Sequence, residues 1–384
     1  MDFAGQWIGK SIDGVSRAIV DLDEHPEGFL GTGRLFFTDG RPGATIAIGL
    51  HGFEESYNFE AAIEWLPLSE PSPVSSHRVS QLYPEYDFPD KADIQLTHVG
   101  DELVLKWSTD AGALGELVLA RADMSGPSEL AAREMSWDQF KEFALSNTPG
   151  SMIFRGQPAP YRLRTAFHRT YRKDLVRYAR VDIPSAHRLL TARTDHFFNL
   201  ESAKEIGAFY NLLQHHGYPT PLLDWTLSPF VAAFFAYRKR QTESEKGKKV
   251  RIFAFDREKW VNQFNQVIWI NFVDAHFSIL EALAIENPRA IPQQAISTVT
   301  NVDDIEGYIS ARETEQGEKY LHAIDLDPND RPTVMSELSL MGITAGSLFP
   351  GLDGACEELV GRLFHHQVPA KKRAFGSKLD TAEN

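Results

Sequence analysis

Short apolar stretches recur through the first 123 residues, and residues that favour turns separate them. These stretches are Arg17–Leu22, Gly33–Phe37, Ala44–Leu50, Asp93–Thr97, Leu103–Trp107 and Gly115–Ala120. Such stretches are typical of β-strands, and Asp39-Gly40 has the sequence of a tight hairpin turn. Because no sustained helical period interrupts them, the pattern predicts an all-β sandwich or small barrel over residues 1–123.

The pattern changes after a polar stretch around Gly126-Pro127, which predicts a linker over residues 124–134. Helical and extended patterns then mix, so residues 135–368 are predicted to form an α+β domain. The predicted helices are Trp137–Leu145, Arg162–Arg193 with a break at Pro184, Leu200–His216, Phe230–Lys239, 273–286 and 355–365. The predicted strands are Met152–Phe154, Val250–Asp256, 291–299 and 319–325. Residues 369–384 are predicted to be a disordered tail.

Charge is distributed unevenly along the 384 residues. The net charge is −14, and residues 1–123 hold 8 lysines and arginines against 21 aspartates and glutamates. Residues 151–193 have the opposite balance, with ten lysines and arginines against two aspartates. Since local charge determines which ligands approach a surface, the acidic β-rich part and the basic segment are expected to have different partners.

Several classes of protein are excluded by composition. Cys356 is the single cysteine, which rules out a disulfide framework within the chain and a multi-cysteine zinc site. No signal-peptide pattern is present, and no apolar run reaches the roughly 18 residues of a membrane span. Adjacent His215 and His216 point about 100° apart on a helix, which disfavours a shared metal. We therefore predict a cytoplasmic protein with no membrane contact and no metal.

No P-loop, dinucleotide-binding, nucleophile-elbow or zinc-protease signature occurs in the sequence. Arg155 is the first polar residue that stands out, because it follows an apolar strand and precedes Gly156. A guanidinium there can bind phosphate oxygens in bidentate fashion, while the glycine lets a ligand approach the backbone. The alternative is an ordinary surface arginine at the end of a strand.

A second polar group lies between two predicted helices, in residues 214–229. Gly217 and Ser228 are explained as a helix C-cap and a helix N-cap. Asp224, Trp225 and Thr226 are not explained in this way. Loops held by a rigid scaffold often carry function, so these three residues are candidates for a binding or catalytic site.

These residues together resemble the FRG domain, a family named for its (Phe/Tyr)-Arg-Gly motif. The matching segments are Phe154-Arg155-Gly156-Gln157, Gln214-His215-His216-Gly217, Leu222–Thr226, Ser228-Pro229 with Ala233–Ala236, and Gly342–Gly354. The resemblance covers about residues 135–365 and leaves out the β-rich part. Arg289 and Gln293 fit a further family pattern, but Ala295 stands where the family usually has glycine.

The FRG layout in turn resembles that of ADP-ribosyltransferases, which implies NAD as substrate and cleavage of the nicotinamide–ribose bond. The implied catalytic residues are Arg155, Asp224, Thr226 and Gln293. The implied NAD-binding residues are Arg155, Gly156, Gln157, Tyr161, His215, Tyr218, Trp225 and Ser228. Gln294, Glu281 and Glu337 are alternatives for the polar group of the third strand. The resemblance implies a transferase or an NAD glycohydrolase, such as a toxin or phage-defence effector with a protein or nucleic-acid acceptor.

Two alternatives remain open at this stage. The C-terminal domain would be a non-catalytic nucleotide- or nucleic-acid-binding module, with the acidic β domain recruiting a protein partner or a ligand. Residues 155–193 interleave basic side chains with aromatic ones, as nucleic-acid-binding surfaces do. The other interpretation of that segment is a solvated or docked charged face, packed against the acidic β domain.

Overall fold

The computed structural model describes residues 3–11, 14–67 and 73–365, and in this part of the chain two sheets organise the fold. Nine strands before residue 121 form one antiparallel sheet, and seven strands after residue 131 form the other. The predicted tail, residues 369–384, lies outside the described residues. Among the described residues, no helix is both long and apolar enough to cross a membrane.

The first sheet curls into a nearly closed barrel. Its strands are β1 Gly5–Lys10, β2 Ser16–His25, β3 Gly28–Phe37, β4 Gly43–His51, β5 Ser56–Ala62, β6 Glu64–Leu66, β7 Lys91–Val99, β8 Glu102–Thr109 and β9 Leu114–Ala120. The strand order is β5-β7-β8-β9-β1-β2-β3-β4-β6, so β9 pairs with β1 in the middle of the sheet, and β5 and β6 are its two edges. Alternate residues such as Trp7, Val20 and Leu103 point inward and are buried together. Of the two predicted all-β architectures, the structure has the barrel-like one.

One helix interrupts the β-rich part, where the sequence pattern predicts none. Helix α1, Ser76–Leu82, begins at Ser75, whose hydroxyl accepts a hydrogen bond from the Arg78 backbone. Only Val79 of this helix is buried. A helix of two turns with one buried residue has no apolar periodicity in its sequence, so the sequence pattern does not predict it.

The second sheet carries the C-terminal part and is mixed. Its strands are β10 Ala132–Glu134, β11 Met152–Gln157, β12 Leu222–Thr226, β13 Val250–Asp256, β14 Phe277–Leu280, β15 Ala295–Thr300 and β16 Leu321–Leu326. Their order is β10-β16-β13-β11-β12-β15-β14, and only β10 pairs in parallel fashion. The helices are α2 Trp137–Ser146, α3 Leu175–Arg177, α4 Ile183–Leu190, α5 Ala203–His215, α6 Pro229–Tyr237, α7 Arg257–Gln263, α8 Ile305–Gln316, α9 Arg331–Leu340, α10 Ala345–Leu348 and α11 Leu352–Val360. Helices thus pack around a largely antiparallel sheet, in a mixed α/β arrangement.

Two helix predictions for the C-terminal part are wrong. Residues 273–286 contain strand β14, in which Phe277 and Ile279 pack into one core and Leu280 into another. Burial on both faces gives an apolar run that resembles a helix. The basic segment is helical only from Leu175, and the helix continues past Pro184 after a π-helical turn, Tyr178–Asp182. The wider π turn accommodates a proline that would otherwise break the helix.

The barrel packs on the C-terminal part through a buried polar interface. Gln6 donates hydrogen bonds to Asp21 and to the Asn301 carbonyl, at 2.8 and 2.7 Å. Arg34 is 2% exposed and bonds both Asp21, at 2.5 Å, and the Phe272 carbonyl, at 2.7 Å. Since buried charges need partners, this network fixes how the two parts meet.

Candidate functional site

Arg155 lies in β11, between β12 and β13 of the C-terminal sheet. Its Nη1 donates a hydrogen bond to the Asp224 carbonyl oxygen at 2.6 Å, which ties β11 to β12 beyond their single paired position. Burial lowers the pKa of Arg155 to about 10, with Asp224 acting in the opposite direction. The guanidinium therefore stays charged at neutral pH and is available to an anion.

A cavity of about 370 Å3 opens beside this arginine. Its walls come from β11, β12, α5, α6, the segment before β15, and Phe349. The polar residues that line it are Arg155, Asn211, Gln214, His215, Asp224, Thr226, Asn287, Arg289 and Gln293. Polar side chains thus form about half of the lining, which suits a ligand rich in hydrogen-bonding groups.

Asp224 is the only carboxylate among the described residues that line the cavity. Asp224 is exposed to solvent, but the atoms packed around its carboxyl desolvate it and raise its pKa, while Arg155 opposes the rise. Gln214 donates a hydrogen bond from Nε2 to Asp224 Oδ1 at 2.5 Å and accepts one from the Thr220 hydroxyl. Gln214 therefore orients the carboxylate toward the cavity.

Two polar atoms at the cavity wall are buried without a hydrogen-bond partner in the described part of the chain. They are Nε of Arg155 and Oδ1 of Asn287. Asn287 is held by its amide nitrogen, which bonds Asn211 Oδ1 at 2.5 Å. Buried polar atoms are nearly always satisfied in folded proteins, so a donor and an acceptor left open at one cavity indicate a place for a polar ligand.

The backbone before β15 is constrained where it borders the cavity. Glu286 and Gln294 have positive φ angles of 52° and 47°, which are uncommon for residues other than glycine. Thr226 donates a hydrogen bond to the Gln293 carbonyl at 2.7 Å, and Leu227 bonds the Gln294 carbonyl at 3.0 Å. The residue with left-handed backbone angles is thus Gln294. Ala295, which stands where the FRG family usually has glycine, is the first residue of β15.

A second guanidinium faces the same cavity from this segment. Arg289 lies over the ring of Phe349, with 5.6 Å between the Arg289 carbon Cζ and the ring centre. Phe349 is mostly buried, and it also receives Arg238 at 4.0 Å. This cation–π contact holds the Arg289 guanidinium in place at the cavity wall.

The structure brings most of the predicted site residues to the cavity. Those that line it are Arg155, Gly156, His215, Asp224, Trp225, Thr226 and Gln293. Burial lowers the pKa of His215, and the positive charge of Arg289 adds to this effect. Gln293 reaches the cavity, while its side-chain amide bonds the Leu348 carbonyl at 2.9 Å.

Four predicted residues lie outside the cavity wall. Tyr161 donates its hydroxyl hydrogen to Glu245 at 2.7 Å, and this bond raises its pKa to about 12. Tyr218 packs near Tyr178, with ring centres 6.2 Å apart. Gln157 is buried within β11. Ser228 accepts a hydrogen bond from the Val231 backbone as the N-cap of α6. Contacts within the fold thus engage Tyr161, Tyr218 and Ser228, whereas Gln157 Oε1 is buried without a hydrogen-bond partner in the described part of the chain.

Trp225 and Gly156 lie at the cavity wall, but their contacts in the structure are packing contacts and differ from the ligand contacts expected from sequence. Trp225 is 3% exposed, and its indole donates to Thr298 Oγ1 at 3.1 Å inside the core, so it is not available to stack on a ligand. A Cβ added at Gly156 would lie 1.9 Å from the Ala232 carbonyl oxygen. The glycine therefore allows α6 to pack on β11, in place of the ligand approach expected from sequence.

Four polar residues of the cavity wall were not predicted as catalytic or NAD-binding residues, although Gln214 and Arg289 belong to the FRG patterns; the four are Asn211, Gln214, Asn287 and Arg289. A signal for two of them was present. Asn211, Gln214 and His215 are spaced three and four residues apart, so they share one face of α5, whose other faces are buried. Polar residues on one stripe of an otherwise buried helix indicate a lined cavity.

The alternative acidic candidates are engaged elsewhere. Glu281 forms an ion pair with Arg257. Glu337 accepts hydrogen bonds from Lys141 Nζ at 2.7 Å and from the Trp137 indole at 2.9 Å. Neither glutamate lines the cavity. No cluster of three metal-binding side chains occurs among the described residues.

Much of the basic segment faces acidic partners. Arg172 forms an ion pair with Asp23 of the barrel at 2.7 Å, and Arg180 pairs with Glu64 at 2.8 Å. Other pairs remain within the C-terminal part, such as Arg164 with Asp303 at 2.5 Å. The docked interpretation of this segment therefore agrees with the contacts. Arg177, Arg188 and Arg193 remain exposed.

Comparison with protein families agrees with the sequence motifs at this site. The model of the FRG domain matches residues 150–245, from the turn before β11 to beyond α6. The chain therefore contains an FRG domain, which supplies Arg155, Gln214 and Asp224 to the cavity. Searches of curated proteins and of solved structures give no match to this chain.

Proposed function

We propose that the protein uses NAD as a substrate, cleaving the nicotinamide–ribose bond and transferring ADP-ribose to water or to a macromolecule. The observation that carries this proposal is Arg155, a charged arginine in a cavity with a buried Nε that lacks a partner. A guanidinium matches the two-pronged geometry of a phosphate. Arg289 adds a second positive charge for the same pyrophosphate.

The remaining cavity residues supply positions for the rest of the nucleotide. Asn211 and Asn287 bring side-chain amides to the cavity wall for a ribose hydroxyl, and His215, with its lowered pKa, offers a neutral imidazole. Phe349 and Phe235 give the cavity an aromatic wall for a planar ring. Thr226 and Gln293 hold the wall in place through their mutual hydrogen bond.

The proposed reaction breaks the bond between ribose C1′ and the nicotinamide nitrogen. The bonding electrons leave with nicotinamide, which becomes neutral, and positive charge develops on the ribose as in glycoside cleavage. The acceptor oxygen or nitrogen then bonds C1′ and loses a proton. Asp224, held by Gln214, is the carboxylate placed to stabilise that charge and to take the proton.

Nicotinamide release from NAD by the purified full-length chain tests this proposal. The wild type is expected to release nicotinamide, and Arg155→Ala is expected to lose at least 90% of the rate, about 1.4 kcal/mol or more of transition-state stabilisation. Arg133→Ala is the matched control, because Arg133 is exposed on the edge strand β10. Equal rates for the wild type and Arg155→Ala, or no release by folded wild type, would exclude the proposal.

A second candidate is a non-catalytic nucleotide-binding module. The observation that favours it is that Asp224 is the one carboxylate among the described lining residues, while the side-chain amide of Gln293, the candidate for the third strand, is bonded to the Leu348 carbonyl at 2.9 Å. Binding of ADP-ribose without any nicotinamide release from NAD would support this candidate. Strongly salt-dependent binding of RNA or DNA that is lost in an Arg177→Ala, Arg188→Ala, Arg193→Ala triple variant would add a nucleic-acid partner.

A further inference from the structure

A second cavity lies inside the N-terminal barrel, separate from the cavity beside Arg155. Its volume is about 300 Å3. The lining comes from strands around the barrel and is mostly aliphatic, including Ala18, Val20, Leu35, Ile46, Ile48 and Ile94. The mouths and interiors of β-barrels are a recurrent place for small ligands.

The cavity arises because only one end of the barrel is filled. Large buried side chains such as Trp7, Phe29 and Leu103 pack together in the barrel core. The cavity end combines small residues, such as Gly33 and Ala44, with larger ones, such as Trp65 and Trp107. Inward-facing Ile46, Leu105 and Trp107 are consequently only partly buried. Protein interiors are normally close-packed, so an unfilled apolar space of this size is unusual in a folded domain.

Four charged or hydroxyl-bearing residues line this cavity, and the buried Nε of one of them, Arg34, has no hydrogen-bond partner in the described part of the chain. Arg41 forms an ion pair with Asp39 at 2.8 Å and lies over the Phe37 ring at 4.3 Å. Asp87 and Thr109 are the other polar groups beside the apolar lining, apart from Arg34. Arg34 is committed to Asp21 and to the C-terminal part by its two Nη atoms.

We propose that the barrel binds an uncharged, largely apolar small molecule. Apolar cavities of this kind exclude water and accept hydrophobic ligands. Arg41 is ion-paired with Asp39 and Arg34 with Asp21, and Asp87 is exposed to solvent, so the lining offers an ion no unpaired buried charge. The apolar space opens to solvent beside the exposed Leu114, and it suits a ring system or a short acyl chain. A peptide backbone would leave its polar groups unsatisfied against the aliphatic lining.

Binding of N-phenyl-1-naphthylamine, an uncharged fluorescent probe, tests this site in the full chain. Trp65 and Trp107 line the cavity, so excitation of tryptophan should transfer energy to the bound probe. The expected result is saturable binding with one site per chain. Folded wild type that gives no saturable transfer would overturn the proposal.

A matched pair of variants on β4 locates the probe. Ala44→Phe fills the cavity, whereas Ala47→Phe adds the same ring to the exposed face of the same strand. We expect at least a tenfold weaker affinity for Ala44→Phe and less than a twofold change for Ala47→Phe. Equal affinities for the two variants would overturn the proposal.

Two further variants cover misfolding and the other cavity. If circular dichroism shows that Ala44→Phe does not fold, Ala113→Trp serves instead, because Ala113 lines the cavity from an exposed hairpin turn. Arg155→Ala is expected to bind the probe as wild type does. If Arg155→Ala loses probe binding while Ala113→Trp retains it, the probe binds in the cavity beside Arg155, and the barrel site is refuted.

Discussion

Replacing Gly156 by alanine adds one methyl group at the closest contact between β11 and α6. The added Cβ would lie 1.9 Å from the Ala232 carbonyl oxygen and 2.9 Å from Ala236 Cβ. A carbon and a carbonyl oxygen need a separation of about 3.3 Å or more even in a weak contact, so the helix must move by more than 1 Å. The nearest atom belongs to the backbone, so no side-chain rotation relieves the clash.

The expected cost follows from overpacking of a tightly packed core. Inserted methyl groups typically cost 1–3 kcal/mol, and this contact belongs at the upper end, at about 3 kcal/mol, because α6 is apolar and packed on most sides. Moving α6 also moves the cavity wall that Ala232 and Phe235 form. A loss of stability should therefore be accompanied by weaker nucleotide binding.

Urea unfolding followed by tryptophan fluorescence measures this effect. The matched control is Gly126→Ala, since a Cβ at Gly126 meets no atom within 4 Å and its φ is not positive. The control should change the free energy of unfolding by less than about 0.5 kcal/mol. If Gly156→Ala is as stable as Gly126→Ala, the packing explanation for this glycine is refuted.

Three further predictions follow from buried groups. Burial lowers the pKa of His168 to about 4, so the unfolded state binds the proton before the folded state does as pH falls below about 6.5. Between pH 7 and pH 5, the free energy of unfolding from urea titrations should therefore fall by about 2 kcal/mol more for wild type than for His168→Asn. Equal losses of unfolding free energy would contradict this. In a double-mutant cycle, Arg172→Ala and Asp23→Ala should show a coupling energy of about 1–3 kcal/mol, because the pair lies in the barrel interface; additive effects would rule out the coupling. Trp225→Phe should lower the free energy of unfolding by about 1–2 kcal/mol, because Thr298 loses its buried hydrogen-bond donor. The affinity for ADP-ribose, measured by calorimetry, should stay within twofold. A large loss of affinity would mean that the indole contacts the ligand.

Elements with local signals were predictable from the sequence. Ser136 predicts the start of α2, and its hydroxyl and Gln139 form a reciprocal capping box there. Ser228-Pro229 predicts the start of α6 for the same kind of reason. These signals lie within a few residues of the structure they determine, so one sequence is enough to detect them.

Elements that depend on distant partners were not predictable in the same way. Strand β14 forms because Phe277–Leu280 pairs with β15, and that pairing leaves no local mark. Burial of both faces of β14 gives the apolar pattern that the sequence analysis interpreted as a helix. The π turn before Pro184 likewise depends on packing, since Tyr178 and Ile183 are buried against α5 residues.

The candidate site was predicted in part for a related reason. Arg155 and Asp224 stand out in the sequence because neither strand ends nor helix caps require them. Arg289 and Phe349 reach the cavity from segments far along the chain, and the sequence does not show that they meet. Trp225 shows the opposite limit, because alternation along β12 turns its indole into the core.

Calorimetric titration with ADP-ribose tests the central claim most directly, because this ligand carries the pyrophosphate but lacks the bond to be cleaved. We predict saturable binding of ADP-ribose by wild type and at least tenfold weaker binding by Arg155→Ala, with Arg133→Ala unchanged. Equal affinity in the wild type and Arg155→Ala, or no binding by folded wild type, would contradict the assignment of this cavity to a nucleotide.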